Sequence, residues 1–228
     1  MIRADRKQKL KRSKSRKDSS TRWLQRQLND PFVQEARKLG YRARSVFKLQ
    51  EIDERFGLIR KGMRILDLGA APGSWSQYAA RKGATIVAID LLPVEPVDGA
   101  TILQGDFLDP VMQERLKEEL GGPADLVLSD IAPDATGRRI VDRLRAEQVG
   151  ETVLDFAAEV LRIDGHAFLK LVKGAEHAVM KSAQDRFRSF RPLRPKATRS
   201  ESSEIFILAS GRKPLPADPD QGAEDTGS

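Results

Sequence analysis

The chain has 228 residues and 39% hydrophobic content, which fits one α/β domain with a full core and terminal arms rather than two complete domains. It has no cysteine and only two histidines, His166 and His177, which excludes disulfides and thiolate metal sites and leaves little for a His-based metal centre or a Ser-His-Asp triad. Charge is uneven: residues 1–30 carry eleven Lys or Arg against three Asp, or +8, while the whole chain carries +7.

A basic arm on a near-neutral body is a tool for polyanions, and nucleic acid is the expected partner. Residues 1–30 are expected to be a largely disordered RNA-binding arm, because 1–20 are mostly Lys, Arg and Ser with few apolar groups to offset the entropy of ordering. Arg3 to Lys17 shows no apolar periodicity suited to a membrane surface. The N-terminus lacks a signal peptide's apolar stretch, and no apolar run is long enough to span a bilayer. A cytoplasmic protein with no membrane partner and no metal is expected.

From Pro31 to Phe56 apolar residues recur at helical spacing, interrupted by Gly40, as a helical lead-in to the core. Short β-rich runs follow at 64–69, 85–90, 101–104, 125–129 and 166–172, separated by helical patterns near 75–82, 110–120, 142–163 and 175–190. That alternation predicts an α/β fold, Rossmann-like, with a mostly parallel central sheet and helices on both faces. Ile205 to Ala209 supplies a late strand. The folded domain is expected over 31–212 and a disordered tail over 213–228. No internal repeat is present.

The run Asp67-Leu68-Gly69-Ala70-Ala71-Pro72-Gly73 ends the first strand and precedes the helical Ser74-Trp75-Ser76-Gln77-Tyr78. Small residues let backbone approach a ligand, and the N–H groups opening the next helix can bind a carboxylate. The Gly-x-x-x-Gly spacing departs from the Gly-x-Gly-x-x-Gly of dinucleotide sites. It favours an amino-acid-bearing nucleoside, S-adenosyl-L-methionine, over NAD. Acids end the next strands as well: Asp90, Asp106 and Asp130. At the carboxyl edge of an open α/β sheet each can reach a different part of one ligand, Asp90 the ribose hydroxyls and Asp106 the adenine edge. Taken singly, each acid reads equally well as a helix cap.

The chain resembles the FtsJ/RrmJ family, the ribosomal RNA large-subunit methyltransferases that place a methyl on a uridine ribose 2′-oxygen. The resemblance is carried by Ser20 to Leu24, Tyr41 to Leu49, Asp67 to Gln77, Asp90-Leu91-Leu92-Pro93, Gln104 to Phe107, Ser129-Asp130-Ile131-Ala132-Pro133 and Gly211 to Pro214. It implies a Lys-Asp-Lys-Glu tetrad at Lys48, Asp130, Lys170 and Glu204, and cofactor contacts at Gly73, Trp75, Asp90, Asp106 and Asp130. Its implied substrate is a uridine of large-subunit (23S) rRNA, as free RNA or, the expected case, on the ribosomal particle; a monomer is expected. Three positions depart from the family pattern: Ser74 where a second glycine is usual, Asp134 where Asn is common, and Lys173 where Gln is common. Ser74 is expected to narrow the cofactor turn slightly.

Methyl transfer to an alcohol is an in-line displacement that needs alignment and a destination for the hydroxyl proton. Lysine is a poor base at its usual pKa near ~10, and burial or a nearby cation favours its neutral form. Lys170 is expected to accept or orient the 2′-hydroxyl proton, Lys48 to help position the ribose, and Asp130 and Glu204 to hold the lysines. An isolated lysine more often faces solvent, but Lys170 sits in an apolar run. Arg37, Lys38, Arg42 and Arg44, with Tyr41, form a second basic cluster, and Arg138-Arg139 follows Asp130; these either grip phosphates or form a solvated face. Trp23 either stacks on a base or packs the arm. The competing classes are a small-molecule or protein methyltransferase, a non-catalytic ribosome-assembly factor and an NAD oxidoreductase.

Overall fold

The computed structural model describes residues 28–215; Trp23, most of the basic arm and most of the tail lie outside them. The elements in chain order are α1 (Pro31–Lys38), α2 (Val46–Phe56), β1 (Arg64–Leu68), α3 (Ser74–Arg81), β2 (Thr85–Asp90), β3 (Ala100–Gln104), α4 (Pro110–Leu120), β4 (Ala124–Ser129), α5 (Arg139–Val160), β5 (Leu161–Val172), α6 (Glu176–Ser182), β6 (Phe187–Leu193) and β7 (Glu204–Arg212). The strands form one sheet in the order β3-β2-β1-β4-β5-β7-β6. All pairings from β3 to β5 are parallel, and β7 runs antiparallel between β5 and β6.

Alternate residues of each strand enter opposite cores, as the period of two requires. Ile65, Ile86, Leu126, Leu128, Phe168, Phe206 and Leu208 face α1, α2 and α3. Leu66, Val87, Val127, Ala167, Leu169 and Ile207 face α4, α5 and α6. The same alternation puts Asp67, Asp130, Lys170 and Glu204 on the α2 and α3 side of the sheet.

The strands predicted at 64–69, 85–90, 101–104 and 125–129 lie within a residue of β1 to β4. Two later elements differ. β5 begins at Leu161, five residues before the predicted start, and its first half is irregular, with Asp164 at φ 62° and a register shift against β4. The helical reading of 175–190 holds only for α6; Phe187 to Leu193 is an edge strand. Its Arg188, Arg191 and Pro192 are exposed, which removes the apolar signature of a strand and protects an open edge.

The body also begins earlier than residue 31. Asp30 caps α1 by accepting from the Phe32 N–H (3.0 Å) and lies 3.2 Å from both Arg44 and Arg199.

Candidate active site

The carboxyl edge of β1, β2 and β4 opens into a cavity of about 330 Å³, within the size range of small-ligand sites. Gly69, Asp90, Asp106 and Asp130 line it, with Leu91 and Leu108 among its apolar walls. Gly69 has φ 74°, and a Cβ there would lie 2.8 Å from the Ile131 backbone nitrogen, so only glycine fits where β1 passes the β4 loop. Asp90 folds the rim: its two carboxylate oxygens accept from the Ala71 and Leu92 N–H groups, both at 2.8 Å. Asp106 accepts from the Leu108 N–H at 2.9 Å. Each carboxylate oxygen keeps a further lone pair for a ligand.

Among the described residues, the cavity lining contains four aspartates, Asp134 being the fourth, and no lysine or arginine. That charge is hostile to a pyrophosphate and suits a nucleoside that carries positive charge.

Gly73 and Trp75 support this cavity from behind and do not line it with side chains. Gly73 has φ 98°, and a Cβ would lie 2.6 Å from an Arg42 guanidinium nitrogen. That guanidinium donates to the carbonyls of Pro72 (3.1 Å), Glu95 (2.7 Å) and Pro96 (2.7 Å). Arg42 therefore ties the glycine turn to the loop after β2. Arg44 is likewise drawn inward, to Asp30 and to the Ala197 carbonyl (2.5 Å). Trp75 is 2% exposed; its ring stacks on Phe168 and its Nε1–H donates to the Ser45 carbonyl at 2.9 Å. What Trp75 offers a ligand is its backbone N–H in the first turn of α3, one of the unpaired donors of a helix start.

Ser74 does not narrow the cavity. It is buried, and its hydroxyl meets that of Ser45 at 2.9 Å. Ser45 is a node that sequence reasoning missed. It joins the start of α3 to the start of α2, and its carbonyl also accepts from the Lys48 N–H at 3.0 Å.

Beneath the turn, Asp67 is fully buried, and its Oδ2 accepts from Ser76 at 2.6 Å. Burial pushes its carboxyl up to about 7, against the pull of the Ser76 hydrogen bond and with help from the charges of Asp130 and Asp90.

On the other side of Asp130, the four tetrad candidates come together. Lys170 lies 2.7 Å from an Asp130 carboxylate oxygen and donates to the Asp130 carbonyl at 2.5 Å. Lys48 is buried and lies 2.6 Å from Glu204, with its ammonium 5.3 Å from the centre of the Phe206 ring. Burial alone would raise the Glu204 carboxyl, but the Lys48 charge and hydrogen bond, the Lys170 charge and the Ser202 hydroxyl hold it below the usual value. Glu204 thus feels both lysines. Strand register makes this possible, because Val172 of β5 stands opposite Glu204 of β7, and Lys170 opposite Phe206. Among the described residues no cluster of His, Cys, Asp or Glu could hold a metal ion, and no helix is long and apolar enough to cross a membrane.

A mostly parallel, doubly covered sheet with a glycine turn and an acidic cavity at its carboxyl edge defines an enzyme of the Rossmann-like methyltransferase class. The chain belongs to the FtsJ-like methyltransferase family, whose profile matches residues 41–212. It is 50% identical over 210 residues to the ribosomal RNA large subunit methyltransferase E of Gluconobacter oxydans, covering 90% of this chain and 77% of that one. The protein of the same name from Granulibacter bethesdensis is 47% identical over 207 residues, covering 90% of each. Among solved structures, a ribosomal RNA methyltransferase from Plasmodium falciparum shares the fold, with a TM-score of 0.68 at 24% identity over 77% of this chain and all of that one.

Proposed function

We propose that the protein transfers a methyl group from S-adenosyl-L-methionine to the ribose 2′-hydroxyl of a uridine in large-subunit (23S) ribosomal RNA, on the ribosomal particle, in the cytoplasm. One observation carries the reading: Asp130 both lines the acidic cavity and pairs with Lys170. A methyl donor in the cavity and an acceptor at the lysines therefore share one carboxylate. The names of the relatives supply the RNA.

The cavity residues fit the donor. Asp90 suits ribose hydroxyls, Asp106 with Leu91 and Leu108 suits adenine, and the start of α3 suits a carboxylate. When bound, the donor supplies an electrophilic methyl on a sulfonium. A new C–O bond forms at the 2′-oxygen as the C–S bond breaks. Lys48, fixed by Glu204 and the Phe206 ring, holds the ribose in line. Lys170, held against Asp130, orients the 2′-oxygen and relays the hydroxyl proton to solvent as the C–O bond forms.

The deciding experiment is methyl transfer from labelled donor to ribosomal particles from cells lacking this protein, with the modified nucleotide mapped. One labelled ribose in large-subunit rRNA is expected. Label on a base, on protein or nowhere would overturn the reading.

A further inference from the structure

The first two turns of α5 carry no buried residue. The helix begins at Arg139, yet its first buried residue is Ala146. At ~1.5 Å per residue, about 10 Å of helix precedes its first buried residue. Ile140 and Leu144, one turn apart on the same face, are 69% and 53% exposed. Arg138 and Arg139 are exposed and form no ion pair among the described residues.

This segment is nevertheless held in shape. The Thr136 N–H and hydroxyl both donate to Asp142 Oδ1 at 2.7 Å, and the Arg138 N–H donates to the Thr136 hydroxyl at 3.2 Å. Arg145 donates to the Asp134 carbonyl at 3.2 Å. The one acid of the first turn is thereby consumed in ordering the loop, and its carboxyl is held below the usual range by the Thr136 hydrogen bonds. What faces outward is a pair of guanidiniums without an acidic partner among the described residues, beside an apolar pair. The loop leading into it lines the mouth of the acidic cavity through Pro133 and Asp134.

An ordered surface of this composition matches single-stranded RNA, whose phosphates take guanidiniums and whose unstacked bases take apolar side chains. We infer that residues 138–144 form an RNA-docking surface that grips the strand flanking the target nucleotide, with Arg138 and Arg139 on phosphates and Ile140 and Leu144 against a base. The inference rests on the RNA-methylation reading above.

The test uses the full chain and protein-free large-subunit rRNA, with binding measured over a range of salt. Arg138→Ala/Arg139→Ala is expected to weaken binding about tenfold at low salt. It should also reduce the slope of log affinity against log salt by about 1.4, two contacts at ~0.7 each. Ile140→Ala/Leu144→Ala is expected to weaken binding several-fold with an unchanged slope. Both variants should keep the wild-type Tm and affinity for S-adenosyl-L-methionine. Wild-type affinity and slope in both variants would overturn the inference, as would a defect seen only on protein-containing particles, which would mark a protein partner. Absence of any RNA methylation by the wild-type enzyme would remove the underlying reading and the docking surface with it.

Discussion

On the β1–β2–β3 side, the cavity is made from shorter-range pieces: Asp90 folds its own loop through Leu92 and reaches 19 residues back to Ala71 in the loop after β1, and Asp106 folds its own loop through Leu108. On the β4–β5–β7 side, the lysines depend on partners far away in the chain. Lys170 reaches back 40 residues to Asp130, and Lys48 reaches forward 156 to Glu204. On the proposed reading, the donor side is thus a set of shorter-range turns, and the acceptor side is a long-range assembly of charges. Asp130 and the Ser45 node are where the two sides touch.

That contrast predicts separable losses. Lys170→Ala is expected to lower kcat about a thousandfold, within the range for a lost acid–base group, while calorimetry gives a donor Kd within twofold of wild type. Asp90→Ala should do the reverse. It strips two loop N–H groups and the ribose site at once, so donor Kd rises about a hundredfold, with kcat at saturating donor reduced far less. Equal effects on Kd and kcat in either variant would erase the distinction between the two sides.

Asp67 tests the layer beneath both. Its folded carboxyl is raised from 3.8 to about 7, so between those values the folded chain keeps a proton that the unfolded chain has lost. Stability therefore falls as pH rises from about 4 to 7 and levels above that. Removing the titration by Asp67→Asn should make the variant gain on wild type as pH rises, by about 3 kcal/mol between pH 5 and pH 8, roughly two pH units of the window at ~1.4 kcal/mol each, read from denaturant unfolding. A constant difference at the two pH values would show that Asp67 titrates normally.

The smallest effect is expected at the junction. Ser74→Gly removes the bond to Ser45, costing about 1 kcal/mol of stability and lowering kcat two- to threefold by loosening Lys48 against the donor turn, with donor Kd unchanged. A shift in Kd instead would place Ser74 in the binding surface.

The same contrast explains what the sequence disclosed. The donor side was legible because its signals are contiguous: an apolar strand, a small-residue turn and an acid, repeated. The lysines were named through family resemblance; their pairing depends on which strands are neighbours, which no local pattern states. The inward bonds of Arg42 and Arg44 are not written locally, because an arginine in a basic run looks alike whether it faces solvent or the carbonyls and carboxylate of its own fold. Ser74 misled because its partner, Ser45, lies across the start of another helix. β6 was hidden by the polar residues that suit an edge.

The placement of β7 between β5 and β6 has a consequence for biosynthesis. β6 pairs with no strand but β7, so β5 and β6 leave a gap until the chain has been made past residue 212. During translation the donor cavity can close early, from residues before 150, while Lys48 and Lys170 wait without Glu204. On the proposed reading, competence for transfer would then arrive only with the last strand.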